Sequence, residues 1–116
     1  MKLMVIGASR GLGRAFVEGL CCPGDTVIGV SRSRPRDLQC PDGITLQWIE
    51  ADLAQPSTAA DHIAAQAPAD LDVLIHNLGI WEEKAFSEEY AFLDESDAAL
   101  TQLVDVNITA TLVLLQ

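Results

Sequence analysis

A chain of 116 residues suits one small domain and leaves no room for a separate substrate domain. With 49% hydrophobic and 21% charged residues it has the composition of a folding globular protein, not of a disordered chain. A formal net charge of -10 excludes nucleic acid as a general partner, because phosphate backbones are held by clustered Lys and Arg.

The charge is unevenly spread. Residues 1–36 hold Lys2, Arg10, Arg14, Arg32, Arg34 and Arg36 against Glu18 and Asp25, a net +4, while residues 37–116 hold Lys84 against fifteen acids, a net -14. A small anionic ligand near the N-terminal third fits this map, and a long polyanion would be repelled by the remainder. Cys21, Cys22 and Cys40 form neither a C-x-x-C pair nor an even disulfide framework and read as reduced packing residues. The apolar run 3–6 is too short for a signal-peptide core, and no stretch reads as long enough for a membrane span, so the cytoplasm is expected.

In chain order, residues 2–6 (KLMVI) form an apolar run closed by Gly7, which predicts a strand buried on both faces. From Gly11 to about residue 22, Leu12, Ala15, Phe16 and Leu20 fall at helical spacing until Pro23-Gly24-Asp25 stops them. Strands follow at 26–31 and, after a polar stretch with Pro35, Pro41 and Gly43, at 44–49. Ser57 is placed to cap a helix through about residue 66, with Ala60, Ile63 and Ala64 as its apolar stripe and Pro68 beyond its end. LDVLIH at 71–76 predicts a fourth buried strand ending in an Asn77-Leu78-Gly79 turn. After an acidic loop, a last helix starts near Ser96 or Asp97 and carries Leu100, Leu103, Val104, Ile108 and Leu112. Strands alternating with helices imply a parallel sheet, since parallel neighbours need crossovers.

Gly7-Ala8-Ser9-Arg10-Gly11-Leu12-Gly13 sits where the first strand hands over to the first helix. Gly7 permits a sharp turn, Gly11 lets backbone approach a pyrophosphate, and Gly13 lets the helix pack closely on the sheet. The helix then offers free N–H groups and about half a positive charge. The spacing is G-x-x-x-G-x-G. Together with Asp52-Leu53 after the third strand, Asn77-Leu78-Gly79 after the fourth and Asn107 in the last helix, it resembles the short-chain dehydrogenase/reductase family over essentially the whole chain.

The resemblance implies an α/β fold, a three-layer Rossmann-type doubly wound parallel sheet truncated after the fourth strand and following helix, with residues 1–116 as one partial dinucleotide-binding domain. It implies that Gly7, Ser9, Arg10, Gly11, Leu12 and Gly13 line the phosphates and ribose, and that Asp52 and Leu53 hold the adenine edge. Asn77, Leu78 and Gly79 would run beside the cofactor, and Asn107 would order a water in a catalytic proton relay. Ile6, His76 and Leu78 depart from the family's usual threonine, asparagine and alanine; the first two remove side-chain hydrogen bonds and the third adds bulk.

An acid at the end of the second strand would accept from a ribose 2'-OH and repel a 2'-phosphate. Ser31 stands there, followed by Arg32, and Arg10 is placed to reach the same point, so NADP is expected over NAD. One such charge-assisted contact is worth roughly 1.5–3 kcal/mol.

The family's acid is a tyrosine with a lysine one helical turn on, beside a substrate-orienting serine. Tyr90 is followed four residues later by Asp94, and the only lysines are Lys2 and Lys84, so the pair would lie on a fifth strand and helix beyond Gln116. The chain thus reads as the cofactor-binding part of an NADP-dependent oxidoreductase acting on a small carbonyl or alcohol, inactive by itself and oligomerising through its final helix. The competing readings are a non-catalytic dinucleotide-binding or regulatory domain and, last, a relative of the sugar-nucleotide epimerases. His62 and His76 have no second ligand at metal-binding spacing; His76 reads as a hydrogen-bonded core histidine, and Trp81 could flank a substrate mouth.

Overall fold

The computed structural model describes residues 1–80 and 84–116, so Trp81, Glu82 and Glu83 lie outside the described residues. Four parallel strands form one sheet in the order β3-β2-β1-β4, where β1 is Lys2–Ile6, β2 Thr26–Ser31, β3 Thr45–Glu50 and β4 Val73–His76. β1 lies at the centre because its side chains are apolar on both faces. Leu3, Val5, Val27 and Ala8 gather with Val17 of α1 (Gly11–Gly19) on one side. Met4, Ile6, Ile28, Val30 and Ile49 gather on the other with Ala59 and Ile63 of α2 (Pro56–Gln66) and Ala110. The period-two alternation of the strands therefore yields helix, sheet and helix layers.

The last helix runs from Asp97 to Leu114 in three pieces, α3 (Asp97–Val104), a π turn (Asp105–Thr109) and α4 (Ala110–Leu114). Ser96 caps it, as expected, with its hydroxyl oxygen accepting from Ala99 N at 3.1 Å. These 18 residues, of mean hydropathy 1.2, are long and apolar enough to cross a membrane by length and composition, which corrects the expectation that no stretch is. Val106 and Ala110 of the same helix are buried against the domain.

Several local expectations are corrected. α1 turns inward Gly13 and Val17, and of the expected stripe Phe16 packs partly on the core while Leu12 is 60% and Leu20 47% exposed; the helix is placed by a glycine contact that an apolar stripe does not register. It ends at Gly19, short of residue 22, where Asp25 closes a turn by accepting from Cys22 N at 2.9 Å. α2 begins at Pro56 with Gln55 as N-cap, so Ser57 is helical; Pro suits a position whose N–H has no helical partner. Its buried residues are Ala59 and Ile63. β4 is shorter than 71–76 and is not buried throughout, since Val73 and Leu74 are about two-fifths exposed where the strand has only β1 as neighbour.

Candidate functional site

The strands point their C-terminal ends at one cavity of about 450 Å³, in the range of roughly 300–1,000 Å³ usual for small-molecule sites. Its floor is the β1–α1 turn. Gly7 has φ +82°, and its amide and that of Ala8 both donate to Val30 O, at 2.9 and 3.1 Å, while Asn77 N donates to Ile6 O at 2.9 Å. This turn admits no side chain at Gly7: a Cβ there would lie 1.9 Å from Asn77 O. Gly11, at φ +58°, is different, because a Cβ on it would meet nothing within 4 Å. The backbone at Gly11 thus faces open space, as a close-approaching ligand requires.

Gly7, Ser9, Arg10, Gly11 and Leu12 line the cavity from the turn, and Ser31 and Arg32 from the end of β2. Asp52 and Leu53 line it after β3, with Leu53 only 5% exposed and Asp52 exposed. Asn77, Leu78 and Gly79 line it after β4. Every expected cofactor residue except Gly13 therefore meets in one place. Gly13 lies beneath, where a Cβ would come 2.0 Å from Gly7 O, so its part is to let α1 sit on the turn. Leu78 packs partly against the core below while lining the cavity, so the bulk that replaces the family's alanine is partly absorbed inward.

Two electrostatic features point at an anion. Arg10 occupies the N-cap of α1 in extended conformation, and no side chain caps that end, which leaves first-turn N–H groups and the positive end of the helix dipole toward the cavity. Among the described residues neither Arg10 nor Arg32 forms an ion pair, although the chain carries net charge -10. Arg14, by contrast, is held by Glu18 at 3.0 Å and Asp37 at 3.2 Å, which keep its guanidinium protonated more firmly than usual.

Asn107 does not line the cavity. Its Oδ1 accepts from Ile80 N and its Nδ2 donates to Ile80 O, both at 2.9 Å, so its amide clamps the chain just after Gly79. Thr111 donates to Asn107 O at 3.1 Å, and His76 Nε2 lies 2.8 Å from Thr111 Oγ1. With the hydroxyl proton given to Asn107 O, the histidine donates through Nε2 and its Nδ1 is a buried acceptor without a partner among the described residues. Burial holds the His76 imidazole below its ordinary pKa of 6.5. His76 is thus the hydrogen-bonded histidine expected from sequence. Ile80, Gln102 and Val106 also line the cavity. For Gln102 and Val106 the one available signal was spacing, since they precede Asn107 on the same helix by five residues and one.

The model of the short chain dehydrogenase family matches residues 2–116. The chain belongs to that family. It is 28% identical over 137 aligned positions to an L-xylo-3-hexulose reductase from Hypocrea jecorina, covering 97% of this chain and 44% of that protein. It is 28% identical to a very-long-chain 3-oxoacyl-CoA reductase from Anas platyrhynchos, covering 90% of this chain and 35% of the relative. Among solved structures, a 3-oxoacyl (acyl-carrier-protein) reductase from Agrobacterium tumefaciens C58 with NADP bound matches at TM-score 0.72 and 25% identity, over 99% of this chain and 45% of that one. This family member spans less than half the length of the curated relatives it matches. The family's parallel sheet with flanking helices is the fold described above, and an oxidoreductase is the class to which its relatives belong.

Proposed function

We propose that this chain is the nucleotide-binding part of an NADP-dependent short-chain oxidoreductase that transfers hydride between the cofactor and a small carbonyl or alcohol. One observation carries the reading: the uncapped N-terminus of α1, the open space before Gly11 and the guanidinium groups of Arg10 and Arg32, unpaired among the described residues, converge on one cavity. The pyrophosphate would lie against Gly11, Leu12 and the first turn of α1, the 2'-phosphate against Arg32 and Arg10, and the adenine between Asp52 and Leu53. Asn77, Leu78 and Gly79 would border the nicotinamide ribose, with Asn107 holding that border through Ile80. When bound, the cofactor supplies or accepts the hydride. NADP in the Agrobacterium tumefaciens reductase and the carbonyl substrates named for the curated reductases support this choice.

Ser31 does not enter as a phosphate donor. Its hydroxyl donates to Ser33 O at 2.8 Å and accepts from Trp48 Nε1 at 3.1 Å, so its one proton is spent. Its part in selectivity is the absence of a carboxylate. The test is a calorimetric titration of Arg32→Ala with NADPH and NADH: NADPH binding should weaken about ten- to a hundredfold while NADH binding holds. An unchanged ratio of the two affinities removes the NADP assignment.

The free thiols of Cys21, Cys22 and Cys40 support a reducing compartment, and we place the protein in the cytoplasm. Val104, Ile108 and Leu112 form an exposed apolar stripe on the last helix, continued by Leu115 at its C-cap, and support association between copies there.

A further inference from the structure

The segment after β2 carries Arg32 into the cavity, and it is fastened at both ends, by Arg14 and Glu18 at one and by Trp48 at the other, none of which lines the site. At the far end α1 holds it: Arg14 Nη2 donates to Asp37 O at 2.8 Å, and Glu18 Oε1 accepts from Gln39 N at 2.9 Å. At the near end the fastening is a relay. Trp48 Nε1–H donates to Ser31 Oγ at 3.1 Å, and that hydroxyl donates onward to Ser33 O at 2.8 Å. Ser31 O also accepts from Ala51 N at 2.9 Å, which keeps the end of β2 in register with β3.

The indole is itself held in place. Trp48 pairs with Gly29 across β2 and β3, and its ring covers Gly29 so closely that a Cβ there would lie 2.2 Å from Cζ3. A donor-only indole N–H fixes which way the Ser31 hydroxyl is used: the oxygen accepts from Trp48, so the proton must go to Ser33 O. That bond spans Arg32 and sets the turn from which its guanidinium emerges.

We infer that Trp48 is a positioning residue for cofactor selectivity, acting through Ser31 and Ser33 to hold Arg32 where a ribose 2'-phosphate would meet it. The inference deepens the NADP reading above and rests on it. Because the relay ends at Arg32, its loss should be felt by the 2'-phosphate and not by the rest of the nucleotide.

The experiment uses Trp48→Phe, which keeps an aromatic ring over Gly29 and removes the N–H, with Ser31→Ala and the double variant, each titrated with NADPH and NADH. Trp48→Phe should weaken NADPH about five- to tenfold and leave NADH unchanged, and the double variant should lose no more than the larger single loss. Equal weakening of both cofactors, or additive losses, would overturn the relay in favour of a packing role. A wild-type protein that binds both cofactors alike refutes the NADP reading, and this inference with it. A wild-type preference for NADPH that survives Trp48→Phe refutes only the part given to Trp48. Should Trp48→Phe fail to fold, Ser31→Ala decides: it must shift the Trp48 indole N–H resonance and lower the NADPH-to-NADH preference, and failure in either overturns the inference.

Discussion

Replacing Gly13 by alanine tests the contact on which the site is built. A Cβ at this position would lie 2.0 Å from Gly7 O and 2.8 Å from Asn77 Nδ2, and ordinary contact begins at 3.4 Å. Helix and turn must therefore part by about 1.4 Å, the difference between 3.4 and 2.0 Å. The nearer atom is backbone, so no rotamer change relieves the overlap, and lifting α1 also loosens the fully buried Val17 one turn on. Overpacking of this kind costs about 1–3 kcal/mol. At this chain length each kcal/mol lowers Tm by about 4 °C, so a fall of about 4–12 °C is expected by circular dichroism. Gly19→Ala is the control, because a Cβ there meets nothing within 4 Å and should be neutral or stabilising by up to about 1 kcal/mol. The displaced helix should also bind NADPH less tightly. A Gly13→Ala protein that melts with wild type would refute the reasoning, since the turn would then have yielded at no cost.

Three further outcomes are expected. Asn107→Leu leaves Ile80 N and O without their amide partner and should cost about 1–3 kcal/mol in urea denaturation; equal stability of Asn107→Leu and wild type would exclude the clamp. His76 is held below its ordinary pKa of 6.5 by burial, so the unfolded chain takes up its proton first as pH falls. Its contribution is therefore neutral above that value, and stability declines as pH drops below 6.5 toward the folded-state pKa; His76→Gln should flatten this part of the stability profile, and an unaltered profile would contradict the assignment. Ile108→Glu with Leu112→Glu should shift the chain toward monomer in sedimentation velocity, and a wild-type chain already monomeric at high concentration would end the association proposal.

What the sequence revealed depended on the range of the signal. β1 and β2 were legible because continuous apolar runs such as KLMVI and TVIGVS have few other uses, and the glycine turn was legible because it lies between a strand and a helix. The gathering of Arg10, Asp52 and Asn77 at one cavity followed from the parallel topology, which brings all strand ends to one side. The inward face of α1 was read correctly at Phe16 but its closest approach was missed, because Gly13 carries no hydrophobic weight. The start of α2 was displaced by two residues, its N-cap being Gln55 and not Ser57, because Pro56 suits the first helical position. The Trp48–Ser31 bond could not be read at all, since it exists only once the β2–β3 register is fixed.

The wide turn at Asp105–Thr109 has a consequence for how this helix tolerates change. A π turn accommodates one residue more than an α turn of the same span, so deleting a single residue there would restore regular winding and leave everything downstream nearly in phase. Ala110 would stay against the sheet and Thr111 beside His76, while the residues inside the turn, Asn107 with its hold on Ile80 among them, would be re-aimed. Single-codon deletions in this stretch should therefore spare the packing of the helix end and act on the Ile80 contact, whereas deletions in the regular turns on either side should unseat Ala110.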